Sequence, residues 1–323
     1  MEYTIWTNTK FSEAAARRLN DGLRGHRLVF AAAANASGLV GGERDRALAE
    51  ADLAFGQPAV EDCLDHRRLR WIALTTAGYS RYDREEVKET LRARGAALTT
   101  SSGVFADPCA QHVLAMMLAL GRQLPQSLRD QGGGRPWPYF ERRAASRLLT
   151  GQTVLLLGFG AIGRRLADLL APFGVTLLAV RRQARSERAV RVIPPEAVSA
   201  ALAGADHVVN ILPENEATRN FVNARRLACC KPGARFYNVG RGTTVDQPAL
   251  IEALQSGRLG AAYLDVTEPE PLPPEHPLWS APNCFITPHT AGGRHDQDEA
   301  LVEHFLKNLA AFERGAEMAD RIV

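Results

Sequence analysis

The feature that most limits what this chain can fold into is Thr153-Val154-Leu155-Leu156-Leu157 running straight into Gly158-Phe159-Gly160-Ala161-Ile162-Gly163. The first part has the apolar, β-branched character of a buried strand. After the glycines, Ile162, Leu166, Leu169 and Leu170 recur at helical spacing. Strand, glycine turn and helix follow from that pattern. Gly158 permits the tight turn, Gly160 lets backbone approach a pyrophosphate, and Gly163 lets helix and strand pack closely. The helix start adds free N–H groups and a positive dipole end. In a chain with 27 glycines the spacing alone would carry little weight, but both flanking elements are legible here. A dinucleotide site is therefore expected at Gly158, Phe159, Gly160, Ala161, Ile162 and Gly163.

With 323 residues the chain is long for a single core, and two domains are expected. A net charge of +3 from 39 basic and 36 acidic residues is too small and too dispersed to point to nucleic acid or a membrane surface. The five cysteines show no CxxC pair, so free thiols in a reducing, cytoplasmic setting are the expectation. The N-terminus reads as a strand rather than a leader, and no stretch approaches 18 uninterrupted apolar residues.

Residues 1–100 read as repeated strand–helix units, with strands at Tyr3–Thr7, Leu28–Ala33, Ala51–Phe55, Trp71–Leu74 and Ala97–Thr100. Asp107-Pro108 carries the chemistry of a helix start, an N-cap followed by proline, for a helix to about Leu120. Gln131 to Pro138 reads as irregular. With Trp137, Tyr139 and Phe140 it is expected to be an arm in a subunit contact. From Thr153, strands at Val175–Val180, His207–Leu212, Ala234–Val239, Ala261–Val266 and Asn283–Thr287 alternate with helices, and a last helix spans about Asp296 to Arg314. The fold class is α/β with doubly wound parallel sheets.

In open parallel sheets, ligands bind beyond the carboxyl ends of the strands. Three strands end in informative segments: Val239-Gly240-Arg241-Gly242, Asp265 to Pro271, and Pro288-His289-Thr290-Ala291. An Arg on a glycine-flanked turn suits bidentate capture of a carboxylate. A His passes a proton to a carbonyl oxygen gaining charge, and a neighbouring Glu favours its charged form and fixes its orientation. Glu268 and Glu270 both lie in range for that role. With a nicotinamide as hydride source, the set is sufficient to reduce a 2-oxo acid.

On these residues the chain resembles the D-isomer-specific 2-hydroxyacid dehydrogenase family over nearly its whole length. The glycine fingerprint, Arg241, the D-V-x-x-x-E-P segment from Asp265 to Pro271 and the P-H-x-[AG] segment from Pro288 to Ala291 carry the resemblance. It implies that Arg241 binds the substrate carboxylate, that Glu270 rather than Glu268 pairs with His289, and that His289 is the proton donor. It further implies Asp265 and His289 near the nicotinamide, and Leu212, Pro213, Val239 and Gly240 as cofactor walls. Ala77 and Gly78 would hold the carboxylate through their N–H groups, with Tyr79 beside them. The implied architecture is a Rossmann domain, 101–289, inserted into a flavodoxin-like substrate domain of 1–100 and 290–323, hinged near Ser101 and His289. A homodimer through the cofactor domain is implied as well. The sequence departs from the family pattern at Gln111, Ser80 and Thr267, where Glu, Asp and an aromatic are usual, and this leaves the substrate side chain open. Formate- or phosphite-type dehydrogenases share the fold, but the formate enzymes carry Gln where Glu270 stands. Corepressor-like cofactor sensors keep the triad, and the short termini here argue against them.

Cofactor choice is legible in charge. An NAD enzyme places an acid about twenty residues after the fingerprint, on the ribose 2′-hydroxyl. Here the strand ending at Val180 is followed by Arg181 and Arg182, with Arg185 and Arg188 beyond. Guanidinium groups suit a 2′-phosphate, so NADP is expected over NAD, with a small 2-oxo acid of the glyoxylate or hydroxypyruvate type as partner.

Overall fold

The structure, a computed structural model, describes residues 2–35, 41–181 and 190–323. Two compact units divide the chain, Met1–Phe105 with Gly293–Val323, and Ala106–Gly292.

In the first unit, β1 (Thr4–Thr9), α1 (Glu13–Gly22), β2 (Arg27–Asn35), β3 (Leu53–Gly56), α2 (Val60–Asp65), β4 (Trp71–Leu74), α3 (Glu85–Ala93) and β5 (Ala97–Thr99) alternate as the sequence reading expects. All the strands are parallel, in the order β2-β1-β3-β4-β5, the flavodoxin-like arrangement. Ile5 and Trp6 are neighbours on β1 and both are buried, one in each of two core clusters. A parallel sheet covered on both faces requires this. Trp6 is thus a core residue, its Nε1 donating to Asp45 at 2.9 Å.

The boundary between units falls inside α4 (Ser102–Gly121). This corrects the expected helix start at Asp107: the helix begins five residues earlier, and Pro108 lies within it. The first turn satisfies itself without Asp107, because Gly103 N–H is taken by the Asp320 carboxylate at 2.6 Å and Val104 N–H by the Ser101 carbonyl at 3.0 Å. Asp107 instead accepts from Arg165 at 2.5 Å and Gln111 at 2.8 Å. Among the described residues, α4 alone is long and apolar enough to cross a membrane, by length and composition.

The second unit continues with α5 (Leu124–Gly132), α6 (Tyr139–Ala145), β6 (Thr153–Leu157), α7 (Ala161–Leu170), β7 (Thr176–Val180), β8 (Val190–Ile193), α8 (Val198–Gly204), β9 (His207–Asn210), α9 (Ala224–Cys229), β10 (Ala234–Asn238), α10 (Gln247–Gln255), β11 (Leu259–Leu264) and β12 (Cys284–Ile286). The segment expected to be irregular is partly helical: α5 reaches Gly132 and α6 opens at Tyr139. Strand β8 was not foreseen. The sheet order β8-β7-β6-β9-β10-β11-β12 is that of the doubly wound dinucleotide fold with one further strand. Finally α11 (Gln297–Glu313) returns to the first unit, where Phe305 stacks on Phe55 at 4.1 Å and on Trp71 at 5.1 Å. That contact explains why the first unit is split in sequence.

Candidate active site

Sheet order decides what meets. Strands β10, β11 and β12 are adjacent, so the segments leaving their carboxyl ends, which carry Arg241, Glu270 and His289, emerge side by side. The His289 Nδ1 stands 2.7 Å from Glu270 Oε2. Glu268 engages the chain elsewhere through its backbone, and the structure pairs Glu270 with the histidine. Burial by itself would raise the Glu270 carboxyl. The His289 hydrogen bond, the Thr267 N–H at 3.0 Å and the Arg241 charge together outweigh it and hold the group below the usual Glu value.

His289 has a φ of +54°, in the left-handed region that His tolerates better than most residues. Asp265 holds it there. The Asp265 carbonyl accepts the His289 N–H at 2.9 Å, and its buried carboxylate accepts Thr290 N–H at 2.8 Å, Ala291 N–H at 3.0 Å and the Thr287 hydroxyl at 2.6 Å. Expected beside the nicotinamide, Asp265 is thus also the anchor of the His289 loop. Tyr263 extends the anchor through a 2.7 Å bond to Thr287, and His112 stacks on Tyr263 at 5.5 Å.

The Arg241 turn is set by residues the sequence reading missed. Asn210 and Asn238 end β9 and β10, and both are buried with Thr244. Asn210 donates to Asn238 at 3.0 Å and to Thr244 at 2.7 Å. Asn238 and Thr244 then donate to the Arg241 carbonyl at 3.1 and 2.7 Å. The available signal was an Asn closing two buried apolar strands.

Gly242 is demanded by closeness. A Cβ there would lie 2.0 Å from the Thr267 carbonyl oxygen and 2.7 Å from the Glu268 nitrogen, both backbone. Gly242→Ala is therefore expected to force the Arg241 turn from the Glu270 loop, costing about 1–3 kcal/mol and raising KM for the acid substrate. Thermal unfolding and steady-state kinetics check this, and unchanged values in both would refute it.

At the other end of the site, Gly158 has a φ of +100° and Gly163 packs against the Gly158 carbonyl, 3.2 Å from where a Cβ would sit. Gly160 is different: a Cβ there would meet nothing within 4 Å among the described residues, so none of them explains the glycine. It is the N-cap of α7 and makes no side-chain cap bond, which leaves the helix N–H groups open to an anion. These observations fit a dinucleotide pyrophosphate. Gly158 and Gly240 both abut the Ile211–Leu212 backbone, at 3.2 and 2.7 Å for an added Cβ, so the fingerprint turn and the Arg241 turn share one wall. Val239 is buried beside it, and Pro213 continues it, its carbonyl accepting the Thr218 hydroxyl at 2.6 Å. Arg181 follows β7 directly, whereas Arg182, Arg185 and Arg188 lie outside the described residues.

In the first unit, Gln57 is buried and donates to the Thr75 and Thr76 hydroxyls at 3.3 and 3.2 Å, and Thr76 donates to the Gly78 carbonyl at 2.7 Å. The turn is thereby fixed, while the N–H groups of Ala77 and Gly78 find no acceptor among the described residues. Tyr79 packs against the core cluster that contains Trp6.

Comparison with known proteins agrees with this arrangement. A family model described as D-isomer specific 2-hydroxyacid dehydrogenase, NAD binding domain, matches residues 114–291. A glyoxylate reductase/hydroxypyruvate reductase of Homo sapiens is 33% identical over 263 residues, 79% of this chain and 77% of that protein. A D-isomer specific 2-hydroxyacid dehydrogenase from Xanthobacter autotrophicus, solved with NADPH and MES, superposes with a TM-score of 0.83 at 27% identity, covering 100% of this chain and 98% of that one. An NADPH-dependent glyoxylate/hydroxypyruvate reductase from Sinorhizobium meliloti, solved with NADP and malonate, gives 0.73 at 27% identity, covering 99% and 97%. The chain belongs to the D-isomer specific 2-hydroxyacid dehydrogenase family and is an NAD(P)-dependent oxidoreductase.

Proposed function

We propose that the protein reduces a small 2-oxo acid of the glyoxylate or hydroxypyruvate type to the D-2-hydroxy acid, with NADP(H) as cofactor. The observation that carries this reading is the 2.7 Å His289–Glu270 pair beside the Arg241 turn, all on adjacent strand ends. A nicotinamide cofactor held at the glycine turn would supply the hydride. Arg241 holds the substrate carboxylate in a fork and polarises the neighbouring carbonyl. With Nδ1–H donated to Glu270, Nε2 is the atom of His289 that passes a proton to the carbonyl oxygen as it gains charge, and takes it back in oxidation. Taken by itself, the Ala77–Gly78 turn of the first unit offers two N–H groups to an anion.

Arg181, and Arg182 beyond it, support NADP by charge, and the Xanthobacter and Sinorhizobium relatives were solved with NADPH and NADP. A homodimer is supported by apolar exposure. Among the described residues, six of the eight large exposed hydrophobics, Trp137 at 90% and Phe140 at 79% with Leu124, Leu128, Tyr139 and Leu148, fall on the α5–α6 arm or just after it. The five cysteines are unpaired, in keeping with a reducing compartment.

The test is NADPH or NADH oxidation with glyoxylate, hydroxypyruvate, pyruvate and longer 2-oxo acids. Turnover with NADPH and a short acid is the expected result, and no turnover with any of them refutes the reading. Arg181→Ala combined with Arg182→Ala is expected to raise the NADPH KM by about tenfold or more while sparing NADH, the loss of two charge-assisted contacts at about 1.5 kcal/mol or more. An unchanged NADPH KM would remove these arginines from the 2′-phosphate.

A further inference from the structure

Gln247 belongs to none of the motifs above, yet it is buried in the first turn of α10 and both ends of its amide are engaged by one residue. Its Nε2 donates to the Glu268 carbonyl, and its Oε1 accepts the Glu268 N–H at 3.1 Å. A primary amide paired at both functions with one residue fixes that residue in place and in rotation, as a neighbouring strand would. Glu268 lies two residues before Glu270. On the far side, Thr267 donates its N–H to Glu270 Oε1 at 3.0 Å and its hydroxyl to the Pro269 carbonyl at 2.9 Å. The clamp itself stands on a fixed base, because Asp246 caps α10 at Ala249 N–H, 3.1 Å, and its own N–H is held by the Val222 carbonyl at 2.9 Å.

We infer that Gln247 is a positioning residue for the Glu270–His289 pair. It holds the acid loop where Glu270 Oε2 reaches His289 Nδ1, and it ties that loop to the helix that follows the Arg241 turn. The carboxylate-binding and proton-transfer halves of the site are thus registered against one another by a side chain that touches neither substrate nor cofactor. This rests on the role of His289 proposed above.

Gln247→Leu keeps most of the volume and removes both bonds. In reduction of glyoxylate by NADPH, kcat is expected to fall about ten- to a hundredfold, as for a misplaced catalytic group, while the NADPH KM stays unchanged. In a Glu270→Gln background the same substitution is expected to add no further loss, since its effect passes through Glu270. Gln247→Glu, which keeps an acceptor for the Glu268 N–H, is expected to recover part of the rate. Equal losses in both backgrounds, or a fall in melting temperature with no change in kcat, would overturn the inference.

The ¹⁵N resonances of the His289 ring give a readout independent of turnover. They are expected to move in Gln247→Leu, and to be the same in Glu270→Gln with or without it. If no acid is reduced by the native protein, the proposed reaction fails while this comparison still decides the role of Gln247. Should Gln247→Leu not fold, Gln247→Asn and Gln247→Glu are compared in the same two backgrounds.

Discussion

Replacing His289 with Asn is expected to lower kcat for 2-oxo acid reduction by about 10²–10⁴-fold, the usual contribution of a positioned acid–base group. Asn is the informative choice because position 289 has a φ of +54°. Asn adopts that conformation readily, so the loop and its 2.9 Å bond to the Asp265 carbonyl persist while the imidazole is lost. Ala would add backbone strain and confuse two effects. NADPH binding, read by protein fluorescence, is expected to be retained. A variant keeping more than half of the native kcat would show that the proton comes from elsewhere.

The partner makes a pH signature. The Glu270 carboxyl is held below its usual value, so it stays ionised at neutral pH and loses its charge only as pH falls through that lowered value. Glu270→Gln removes that charge, so the fall in reductive rate as pH drops through the Glu270 value is expected to disappear from the profile of the variant.

Much of this site was legible in the sequence because its chemistry sits on short segments whose order follows strand order. The glycine turn, Arg241, Glu270 and His289 each follow a strand, and a parallel sheet brings consecutive strand ends together. The supporting polar residues were not legible, because their meaning depends on register. Asn210 and Asn238 face one another only because β9 and β10 pair residue for residue at that position. Gln247 acquires a role only once the Glu268 backbone lies against it. Local rules misled where a distant segment supplied what they assume must be local. Asp107-Pro108 has the chemistry of a helix start, but Asp320, far along the chain, caps α4 instead. The Gly132-Gly133-Gly134 run suggested irregular structure throughout, yet flanking residues with good helix propensity carry α5 into it.

His207 shows how a residue remote from the chemistry sets the acid limit of the fold. It opens β9, is fully buried, and is engaged at both ring nitrogens, Nε2 to Gln152 Oε1 at 2.6 Å and Nδ1 to the Tyr237 hydroxyl at 2.9 Å. The Gln oxygen only accepts, so Nε2 carries the proton and Nδ1 accepts from Tyr237. A second proton would place a charge where no water reaches. Burial first, and the Arg235 charge second, lower the imidazole from 6.5 to about 3, against a smaller opposing effect of Asp206.

Because the folded value is the lower one, the unfolded chain binds a proton that the native protein refuses between about pH 6.5 and 3. Stability from this group is therefore complete above pH 6.5 and falls with acidification by about 1.4 kcal/mol per pH unit, or about 3 kcal/mol by pH 4. That is a large share of the roughly 5–15 kcal/mol typical of a folded domain. The carboxylates Asp45, Asp52, Asp206 and Glu270 are held below their ordinary values of 3.8 and 4.5, so their contribution is lost only as pH falls through those ordinary values, at the acid end of this range. Urea unfolding followed from pH 7 to 4.5 is expected to show the slope in the native protein and a flatter line in His207→Gln. Equal slopes would mean that another group, and not this buried histidine, sets the acid sensitivity of the dinucleotide-binding unit.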